Sequence, residues 1–315
     1  MKILVTGGAG FIGSNLTKRL VSEGYEVVVI DNFNEYYDVN LKRAREQELL
    51  KGATVIEGDF TDEVFLEKVF SEHAFDVVCH LGAQAGVRYS VEFPEVYVHT
   101  NVRGTQLILE TMQKHGVKRI VYASTSSAYG EDTPVPFVEH APADRPISVY
   151  AATKRAGEML IHAYASLYGM EATCLRFFTV YGPWGRPDMA LFKFSKLMLE
   201  GKPIDVYNSG AMRRDFTYID DIVDGFVRAI ERPLAYEVIN LGNNSPVDLE
   251  NFIEILENEW GMTAEKNLMP MQSGDMKVTY ADITKAQNLL GYNPKTSVEE
   301  GIHNFVEWYR DFYGK

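Results

Sequence analysis

Short runs of consecutive apolar residues alternate with longer amphipathic segments through the first half of the chain. Apolar residues recur at helical spacing over about 62–73, 94–115 and 150–169. β-Branched runs separated by amphipathic helices are typical of a parallel sheet that is covered on both faces. The pattern therefore predicts an α/β fold with a doubly wound parallel sheet, whose strands lie at about 2–6, 26–30, 54–57, 76–80, 119–123 and 172–176.

The alternation ends near residue 180, where glycine and proline become frequent and the apolar pieces become short. We predict one large domain over 1–180 and a smaller α/β lobe formed mainly by 181–315. Residues at about 215–245 are expected to return to the large domain. The apolar run Val238–Leu241 is the strand expected to rejoin the main sheet.

A glycine-rich turn follows the first predicted strand and opens the first predicted helix. Gly7 permits a tight turn, Gly10 allows a ligand to approach the backbone, and Gly13 allows close packing of helix and strand. Asp31 ends the next strand, 18 residues after Gly13, where a carboxylate can accept hydrogen bonds from a ribose. Strand, glycine turn, helix and acid in this order predict a dinucleotide site with the diphosphate at the helix N-terminus.

The acid at position 31 favours NAD over NADP, because a carboxylate would repel the 2′-phosphate of NADP. Lys42, Arg43 and Arg45 follow Asp31 closely and could in principle neutralise such a phosphate. We interpret these three cations as a solvated helix face or as neighbours of the diphosphate.

Tyr150 and Lys154 form a second group with chemical potential. An i,i+4 pair shares one face of a helix, so the phenol and the ammonium can point into one site. A nearby ammonium is expected to lower the pKa of the phenol, and a bound nicotinamide cation is expected to lower it further. The preceding segment 123–130 lies at the carboxyl end of a buried strand, which is where parallel sheets bind ligands.

Composition narrows the function classes. The chain has 315 residues, 46% of them hydrophobic, and a formal net charge of −13, which argues against nucleic acid or an anionic membrane as a partner. Cys79 and Cys174 lie in apolar runs and are expected to be buried thiols in a reducing compartment. No room for a signal peptide precedes the first strand, and the histidines lack metal-ligand spacing. We therefore expect a soluble cytoplasmic protein with no metal.

The glycine spacing G-x-x-G-x-x-G resembles the short-chain dehydrogenase/reductase pattern, and Thr-Gly-Gly-Ala-Gly-Phe-Ile-Gly at 6–13 resembles its extended branch, the NAD-dependent epimerases and dehydratases. The resemblance implies a Rossmann-like fold and a site for NAD. It places Asp59 at the adenine and 81–84 beside the diphosphate and ribose, and Lys154 at the nicotinamide ribose. The full expected cofactor set is Gly7, Gly10, Phe11, Ile12, Gly13, Asp31, Asn32, Lys42, Asp59, Phe60, Leu81, Ala83, Gln84, Tyr150, Lys154 and Phe177.

In this family a Ser or Thr completes a catalytic triad with the Tyr and Lys, and Thr125 matches that position, with Ser127 as the alternative. Family dehydratases usually carry an Asp-Glu pair directly after this residue, where Ser126 and Ser127 stand here. The acid that expels water is therefore missing, which argues against dehydration. Asn101 resembles a structural asparagine of the family and is expected to order backbone.

Two later blocks, 176–183 and 213–221, resemble the segments that line the sugar and bind the diphosphate in nucleotide-sugar enzymes, with the diphosphate arginine assigned to Arg214. Segments 31–42, 83–90 and 181–190 resemble the branch that epimerises UDP-glucuronate at C4. The resemblance implies a UDP-sugar substrate, a transient 4-keto sugar and a tightly held NAD with no net redox change. The expected substrate set is Arg88, Ser126, Ser127, Thr179, Arg186, Phe192, Val206, Tyr207, Arg214 and Asp275.

Three alternatives stay open at this stage. A UDP-glucuronate decarboxylase and a 4-epimerase of neutral UDP-hexoses would share most of these motifs. A non-catalytic protein that senses NAD(H) is a remote third, because the glycine loop and the Tyr-Lys pair are intact. The helices at 94–115 and 150–169 are expected to pair with a second copy as a four-helix homodimer interface, although core packing explains much of the same pattern.

Overall fold

The computed structural model describes residues 1–271 and 276–315. Its strands are β1 (Lys2–Thr6), β2 (Glu26–Asp31), β3 (Thr54–Glu57), β4 (Val77–His80), β5 (Arg119–Thr125), β6 (Glu171–Phe177), β7 (Thr179–Tyr181), β8 (Ile204–Tyr207), β9 (Arg213–Tyr218), β10 (Tyr236–Leu241), β11 (Pro246–Asp248), β12 (Lys266–Met269) and β13 (Val278–Thr279). The predicted strands of the first half are confirmed, with ends that differ by one or two residues.

Helices are present in the three predicted regions, 62–73, 94–115 and 150–169. They are α1 (Phe11–Ser22), α2 (Val39–Leu49), α3 (Glu63–Glu72), α4 (Tyr89–Glu92), α5 (Pro94–Tyr97), α6 (Gly104–Lys114), α7 (Val149–Tyr168), α8 (Ala190–Leu199), α9 (Ile219–Glu231), α10 (Leu249–Trp260), α11 (Thr284–Leu290) and α12 (Val298–Tyr313). A π-helical segment (Val98–Arg103) joins α5 to α6, so the helix predicted over 94–115 contains a widened turn. Short 3₁₀ turns lie at Ser126–Tyr129 and Asn208–Gly210.

Seven parallel strands form the main sheet in the order β10-β6-β5-β4-β1-β2-β3. Two apolar cores cover its two faces, which explains the continuous apolar runs of the inner strands. The chain leaves β1 in one direction through β2 and β3, then in the other direction from β4 onward. The strand order therefore reverses between β1 and β4, and ligands bind parallel sheets at the carboxyl ends of such strands.

The second half makes two smaller sheets. Strand β9 pairs with β7, β11 and β13, and β8 pairs with β12. The strand β10, which contains the predicted run Val238–Leu241, pairs with β6 at the edge of the main sheet. Helix α9 packs against α1 on the main sheet, so the segment between the lobes contributes to both.

Among the described helices, none is long and apolar enough to cross a membrane. Within residues 1–271 and 276–315, no group of three or more His, Cys, Asp or Glu side chains is arranged to hold a metal ion.

Candidate active site

A cavity of about 810 Å³ opens at the carboxyl ends of the main sheet, between the sheet and the smaller lobe. This volume lies toward the upper end of the range for small-molecule sites. The loops that follow β1, β4 and β5 form one side of the cavity, and segments from β7 to β9 form the other. The sequence-predicted residues that line it are Gly7, Gly10, Phe11, Ile12, Gly13, Asp31, Asn32, Lys42, Phe60, Leu81, Ala83, Gln84, Arg88, Thr125, Ser126, Ser127, Tyr150, Lys154, Phe177, Thr179, Arg186, Tyr207 and Arg214.

The glycine loop is shaped so that side chains are excluded from it. Gly7 has a left-handed φ of 67°, and a Cβ there would lie 2.7 Å from the Cα of Gly82. A Cβ on Gly13 would lie 2.3 Å from the carbonyl oxygen of Gly7. Helix α1 starts at Gly10 with no side-chain cap, so its first N–H groups face the cavity without a capping acceptor. This cradle fits a diphosphate of a dinucleotide.

Asp31 ties the glycine loop to the end of β2. Its carboxylate accepts hydrogen bonds from the N–H groups of Ala9 at 3.0 Å and Phe33 at 2.8 Å. Burial raises the pKa of Asp31, and the Lys42 ammonium and the two N–H donors act in the opposite direction. The carboxylate lines the cavity at the position that a ribose of NAD would require.

The interpretation of Lys42 and Arg45 as part of a solvated helix face is wrong. Lys42 is 5% exposed and donates to the carbonyl and side-chain oxygens of Asn34 at 2.7 and 2.8 Å, while Arg45 is fully buried. Only Arg43 has the expected character, because it is partly exposed and pairs with Glu46 and Glu57. Helix α2 buries Leu41, Arg45 and Leu49 at i,i+4 spacing, so Arg45 lies on the same covered face as the two leucines.

Asp59 lies behind the cavity wall rather than on it. The side-chain amide of Asn32 donates to Asp59 at 2.8 Å, and the N–H and hydroxyl of Thr61 donate to its other oxygen. Burial acts to raise the pKa of Asp59, but these hydrogen bonds outweigh it and the pKa is lowered. Asn32 and the ring of Phe60 line the cavity at this end, so Asp59 is placed to orient Asn32.

The loop after β4 is held by Asn101, as predicted. The Asn101 side chain accepts from the Gln84 N–H at 2.8 Å and donates to the Gln84 carbonyl at 3.0 Å, and it also donates to Thr153 on α7. Its place in the π-helical segment lets one side chain join the loop to the catalytic helix. The side-chain nitrogen of Gln84 is buried in the cavity wall and has no partner among the described residues, as expected of a group that contacts a ligand.

Tyr150 and Lys154 lie on α7 and both line the cavity, facing the end of β5. Ser148 caps this helix by accepting the N–H of Ala151 at 3.1 Å. The Thr125 side chain lies close enough to the Tyr150 phenol to lower its pKa, and the Thr125 hydroxyl oxygen accepts the N–H of Ser127. The structure therefore brings the three predicted triad residues together.

The electrostatics of the triad differ from expectation. Burial raises the pKa of Tyr150, and the groups that oppose this rise are the Arg186 guanidinium and the Thr125 side chain. Lys154 is 2% exposed, with its ammonium 4.0 Å from the centre of the Tyr122 ring, and burial lowers its pKa to about 7. Arg186 is therefore a further cation that acts on Tyr150, and the expected effect of Lys154 on the phenol stays a prediction.

A buried charge pair lies directly behind the triad, and the sequence patterns had not indicated it. Glu158, one turn beyond Lys154, receives hydrogen bonds from Ser124 at 2.5 Å and from Arg176 at 2.9 and 2.7 Å. Glu158 is fully buried, and it acts to raise the pKa of Lys154 against the effect of burial. It therefore links the catalytic helix to the ends of β5 and β6.

The substrate side contains three arginines from distant parts of the chain. The Arg88 guanidinium lies 4.6 Å from the centre of the Tyr207 ring, and both residues line the cavity. Arg186 also lines the cavity and pairs with Asp188, with Nε 3.0 Å from Oδ1. Arg214 enters from β9.

Three predicted substrate residues are not on this wall. Phe192 and Val206 were expected to contact substrate, but they are buried and lie outside the lining of this cavity, and the Phe192 ring packs against Phe305 and Tyr309. A core position, which their apolar side chains also allow, explains both residues. Asp275 lies outside the described residues.

Sequence reasoning missed Tyr36 and Asp188. The Tyr36 hydroxyl donates to Asp188 at 3.4 Å, and its ring packs against Tyr89 across the cavity mouth. Gly86 makes room for this hydroxyl, because a Cβ there would lie 2.2 Å from it. Tyr36, Gly86 and Asp188 lie in the segments 31–42, 83–90 and 181–190, whose resemblance to the UDP-glucuronate branch could have indicated them.

Comparison with known proteins agrees with this geometry. Residues 3–242 match the model of the NAD dependent epimerase/dehydratase family. A UDP-glucuronate 4-epimerase of Arabidopsis thaliana is 46% identical over an alignment of 330 positions, which covers 99% of this chain and 76% of the plant protein.

Two solved structures are similar over almost the whole chain. The UDP-glucuronic acid 4-epimerase of Bacillus cereus, in complex with UDP-glucuronic acid and NAD, has a TM-score of 0.92 and 38% identity, covering 99% of this chain and 100% of that one. The UDP-glucose 4-epimerase of Thermotoga maritima, with UDP-glucose, has a TM-score of 0.91 and 36% identity at the same coverage.

Proposed function

Because the chain belongs to the NAD dependent epimerase/dehydratase family, we propose that it is an isomerase that converts UDP-glucuronic acid to UDP-galacturonic acid, with NAD as a tightly bound cofactor. One observation carries the proposal: a single cavity contains the glycine loop, the pair Tyr150 and Thr125, and the Arg186 guanidinium. The first two fit oxidation of a sugar hydroxyl with a dinucleotide, and the third fits a substrate carboxylate.

Tyr150 acts as the phenolate, which a nicotinamide cation bound beside it would favour against the effect of burial, and it takes the proton of the C4 hydroxyl while Thr125 holds the two oxygens in line. NAD, when bound at the glycine loop, supplies the acceptor for the C4 hydride and the donor that returns it. The 4-keto sugar turns about its diphosphate linkage, so that its other face receives the same hydride while Tyr150 gives the proton back to the oxygen. Atoms and electrons balance within one cycle, with no net redox change.

A 4-keto derivative of glucuronic acid is a β-keto acid and can lose carbon dioxide. Loss requires the C5–C6 bond to lie roughly perpendicular to the plane of the carbonyl group. We propose that the cavity holds the carboxylate away from this alignment through Arg186, Thr179, Ser127 and Arg88, all of which line it. Two N–H groups of Arg186 already hold Asp188, so a substrate carboxylate would be bound by its remaining N–H groups.

A 4-epimerase of neutral UDP-hexoses is the second candidate, because the Thermotoga maritima relative is a UDP-glucose 4-epimerase of comparable similarity. The acidic sugar is favoured because Arg88, which has no carboxylate within ion-pair distance among the described residues, lines the cavity together with Arg186, whose own charge is balanced by Asp188. A decarboxylase would need the carboxylate to be aligned for loss rather than restrained.

The decisive experiment is incubation of the purified protein with UDP-glucuronic acid and no added NAD, followed by chromatography and NMR of the products. The proposal expects UDP-galacturonic acid, formed by the cofactor that the protein retains. UDP-pentose with carbon dioxide would assign a decarboxylase. Interconversion of UDP-glucose and UDP-galactose, with no turnover of the acid, would assign a neutral-sugar epimerase. The absence of any turnover beside a retained dinucleotide would favour the sensing alternative.

We also propose that the protein works as a homodimer in the cytoplasm. Apolar side chains are exposed on the two helices expected at the interface: Val96 is 40%, Met159 60% and Leu167 72% exposed. Cys79 and Cys174 are buried free thiols, which suits a reducing compartment. Light scattering should give twice the chain mass, and Met159→Glu should lower it toward that of one chain. A monomeric parent protein would contradict the dimer, and cell fractionation would test the location.

A further inference from the structure

Arg45 is a fully buried cation whose hydrogen bonds go to backbone carbonyls and one phenol. It donates to the carbonyl of Ala9 in the glycine loop at 3.1 Å and to the hydroxyl of Tyr37 at 2.6 Å. It also donates to the carbonyl of Trp184 at 3.1 and 2.7 Å, and to that of Gly185 at 3.1 Å. Among the described residues, no carboxylate lies within ion-pair distance of this guanidinium. One side chain therefore joins the glycine loop to a segment about 140 residues away.

The segment that Arg45 holds is strained. Trp184 has a left-handed φ of 63°, which a bulky aromatic residue rarely adopts. Such conformations persist only where the surroundings over-determine them, and they cluster at functional sites. The carbonyl of Trp184 receives two hydrogen bonds from Arg45, and its ring packs against Trp308. Arg186 follows two residues later and lines the cavity.

We propose that Arg45 is a positioning residue for Arg186: it holds the strained turn at Trp184 so that Arg186 faces the sugar carboxylate and Tyr150. This inference rests on the proposed function, because it assigns Arg186 to the substrate carboxylate. Arg45 also contacts Ala9, so the same side chain aligns the glycine loop with the substrate side of the cavity.

The chemistry of the guanidinium explains why this position requires arginine. Its planar fork can serve several carbonyls in fixed directions, whereas an ammonium is a compact charge that cannot span them. Burial lowers the pKa of Arg45, so the protein bears a desolvation cost to keep this cation between two loops. A glutamine could reach some of these carbonyls but not all of them.

The test is Arg45→Lys, with Arg45→Gln as a second variant in case the first does not fold. The matched control is Arg43→Lys, because Arg43 lies on the same helix and pairs with Glu46 and Glu57 away from the cavity. Four quantities are measured: thermal stability, KM for UDP-glucuronic acid, the affinity for UDP by calorimetry, and the fraction of UDP-pentose among the products. UDP serves as the probe that lacks a carboxylate.

We expect Arg45→Lys to raise KM for UDP-glucuronic acid about tenfold and to increase UDP-pentose, since small misplacements of positioned groups have effects of this order. The affinity for UDP and the control should change less than about twofold. If Arg45 acts through Arg186, the variant that combines Arg45→Lys with Arg186→Lys should match Arg186→Lys alone within about twofold.

Equal losses for UDP and UDP-glucuronic acid, a change in stability alone, or multiplied effects in the double variant would overturn the proposal. Failure of the proposed function is a separate result, seen as absence of turnover in the parent protein. In that case calorimetry still decides the role of Arg45, because it compares binding of UDP-glucuronic acid with binding of UDP in parent and variant.

Discussion

The cofactor half of the cavity is built from segments close to one another along the chain, namely 7–13, 31–42 and 81–84, whereas the substrate half combines Arg88, Thr179, Arg186, Tyr207 and Arg214 from distant loops. Each cofactor segment directly follows a strand of the main sheet. The substrate residues depend on how the smaller lobe rests against that sheet.

This difference separates the residues expected to perform the shared chemistry from those expected to set substrate preference. The cofactor half and the triad perform chemistry that every UDP-sugar shares, so changes there should affect all substrates alike. Under the proposed function, the substrate half would contact the part of the sugar that differs, so changes there should alter preference and products. Arg45 is the point at which the two halves meet, through Ala9 on one side and Gly185 on the other.

Removal of the triad phenol should have the largest effect. Tyr150→Phe takes away the general base and should lower kcat by about 10³-fold, within the range for such groups, while KM changes little. The loss should be the same for any UDP-sugar that the parent enzyme turns over. Tyr164→Phe, on the same helix but away from the cavity, is the control. A loss of kcat for one sugar only would contradict the assignment of Tyr150 to chemistry that all UDP-sugars share.

Acid should destabilise the cofactor half through His80. This side chain is fully buried between Thr6 and Thr105, and burial lowers its pKa from 6.5 to about 3. Below about pH 6.5 the unfolded chain binds a proton at His80 that the folded protein does not bind. The free energy of unfolding should therefore fall by about 1.4 kcal/mol per pH unit between about pH 6.5 and about pH 3, and it should not depend on His80 above that range.

Urea unfolding at about pH 7 and pH 5 checks this dependence. His80→Gln should show a smaller fall in the free energy of unfolding between the two values than the parent protein. His303→Gln is the control, because Glu259 raises the pKa of this exposed histidine and its effect has the opposite sign. Parallel curves for His80→Gln and the parent would contradict the assignment.

Asp31→Asn should weaken retention of NAD by about tenfold or more, because a charge-assisted hydrogen bond to the ribose is replaced by a neutral one. Discrimination against NADP should narrow as the repulsive charge disappears. The dinucleotide released on denaturation, measured by absorbance and chromatography, reports both effects. Asp62→Asn, at the N-cap of α3, should leave retention unchanged. Unaltered retention in Asp31→Asn would remove Asp31 from the cofactor site.

The smallest effect is expected in the substrate half. Thr179→Ala should raise KM for UDP-glucuronic acid about three- to tenfold, the value of one hydrogen bond, and should release more UDP-pentose. Thr179→Ser retains the hydroxyl and should behave like the parent enzyme. If Thr179→Ala released no extra UDP-pentose and kept its KM, Thr179 would have no part in restraining the carboxylate.

The cofactor half could be predicted because its residues occur where strand, turn and helix follow one another. The left-handed Gly7, the uncapped α1 and Asp31 at the end of β2 are consequences of local order along the chain. Tyr150 and Lys154 were predictable for the same reason, since helical spacing alone puts them on one face.

The predictions that needed correction concern burial between distant segments. Lys42 and Arg45 are buried because loop 184–185 and the turn at Asn34 cover the face of α2 that also carries Leu41 and Leu49. Phe192 packs in an aromatic cluster with α12 and lies outside the lining of the cavity. The pKa of Tyr150 responds to Arg186, which comes from a different loop.

Residue order along the chain was enough to predict the sheet, the glycine loop and the residue types of the triad, because periodicity and spacing act over one strand or one helix turn. Which cations enter the cavity, and which pKa values shift, became visible in the folded structure. Those depend on desolvation by segments that lie far apart in the chain. Arg45 and Arg186 come from a helix and a loop about 140 residues apart, and only the folded chain brings them together.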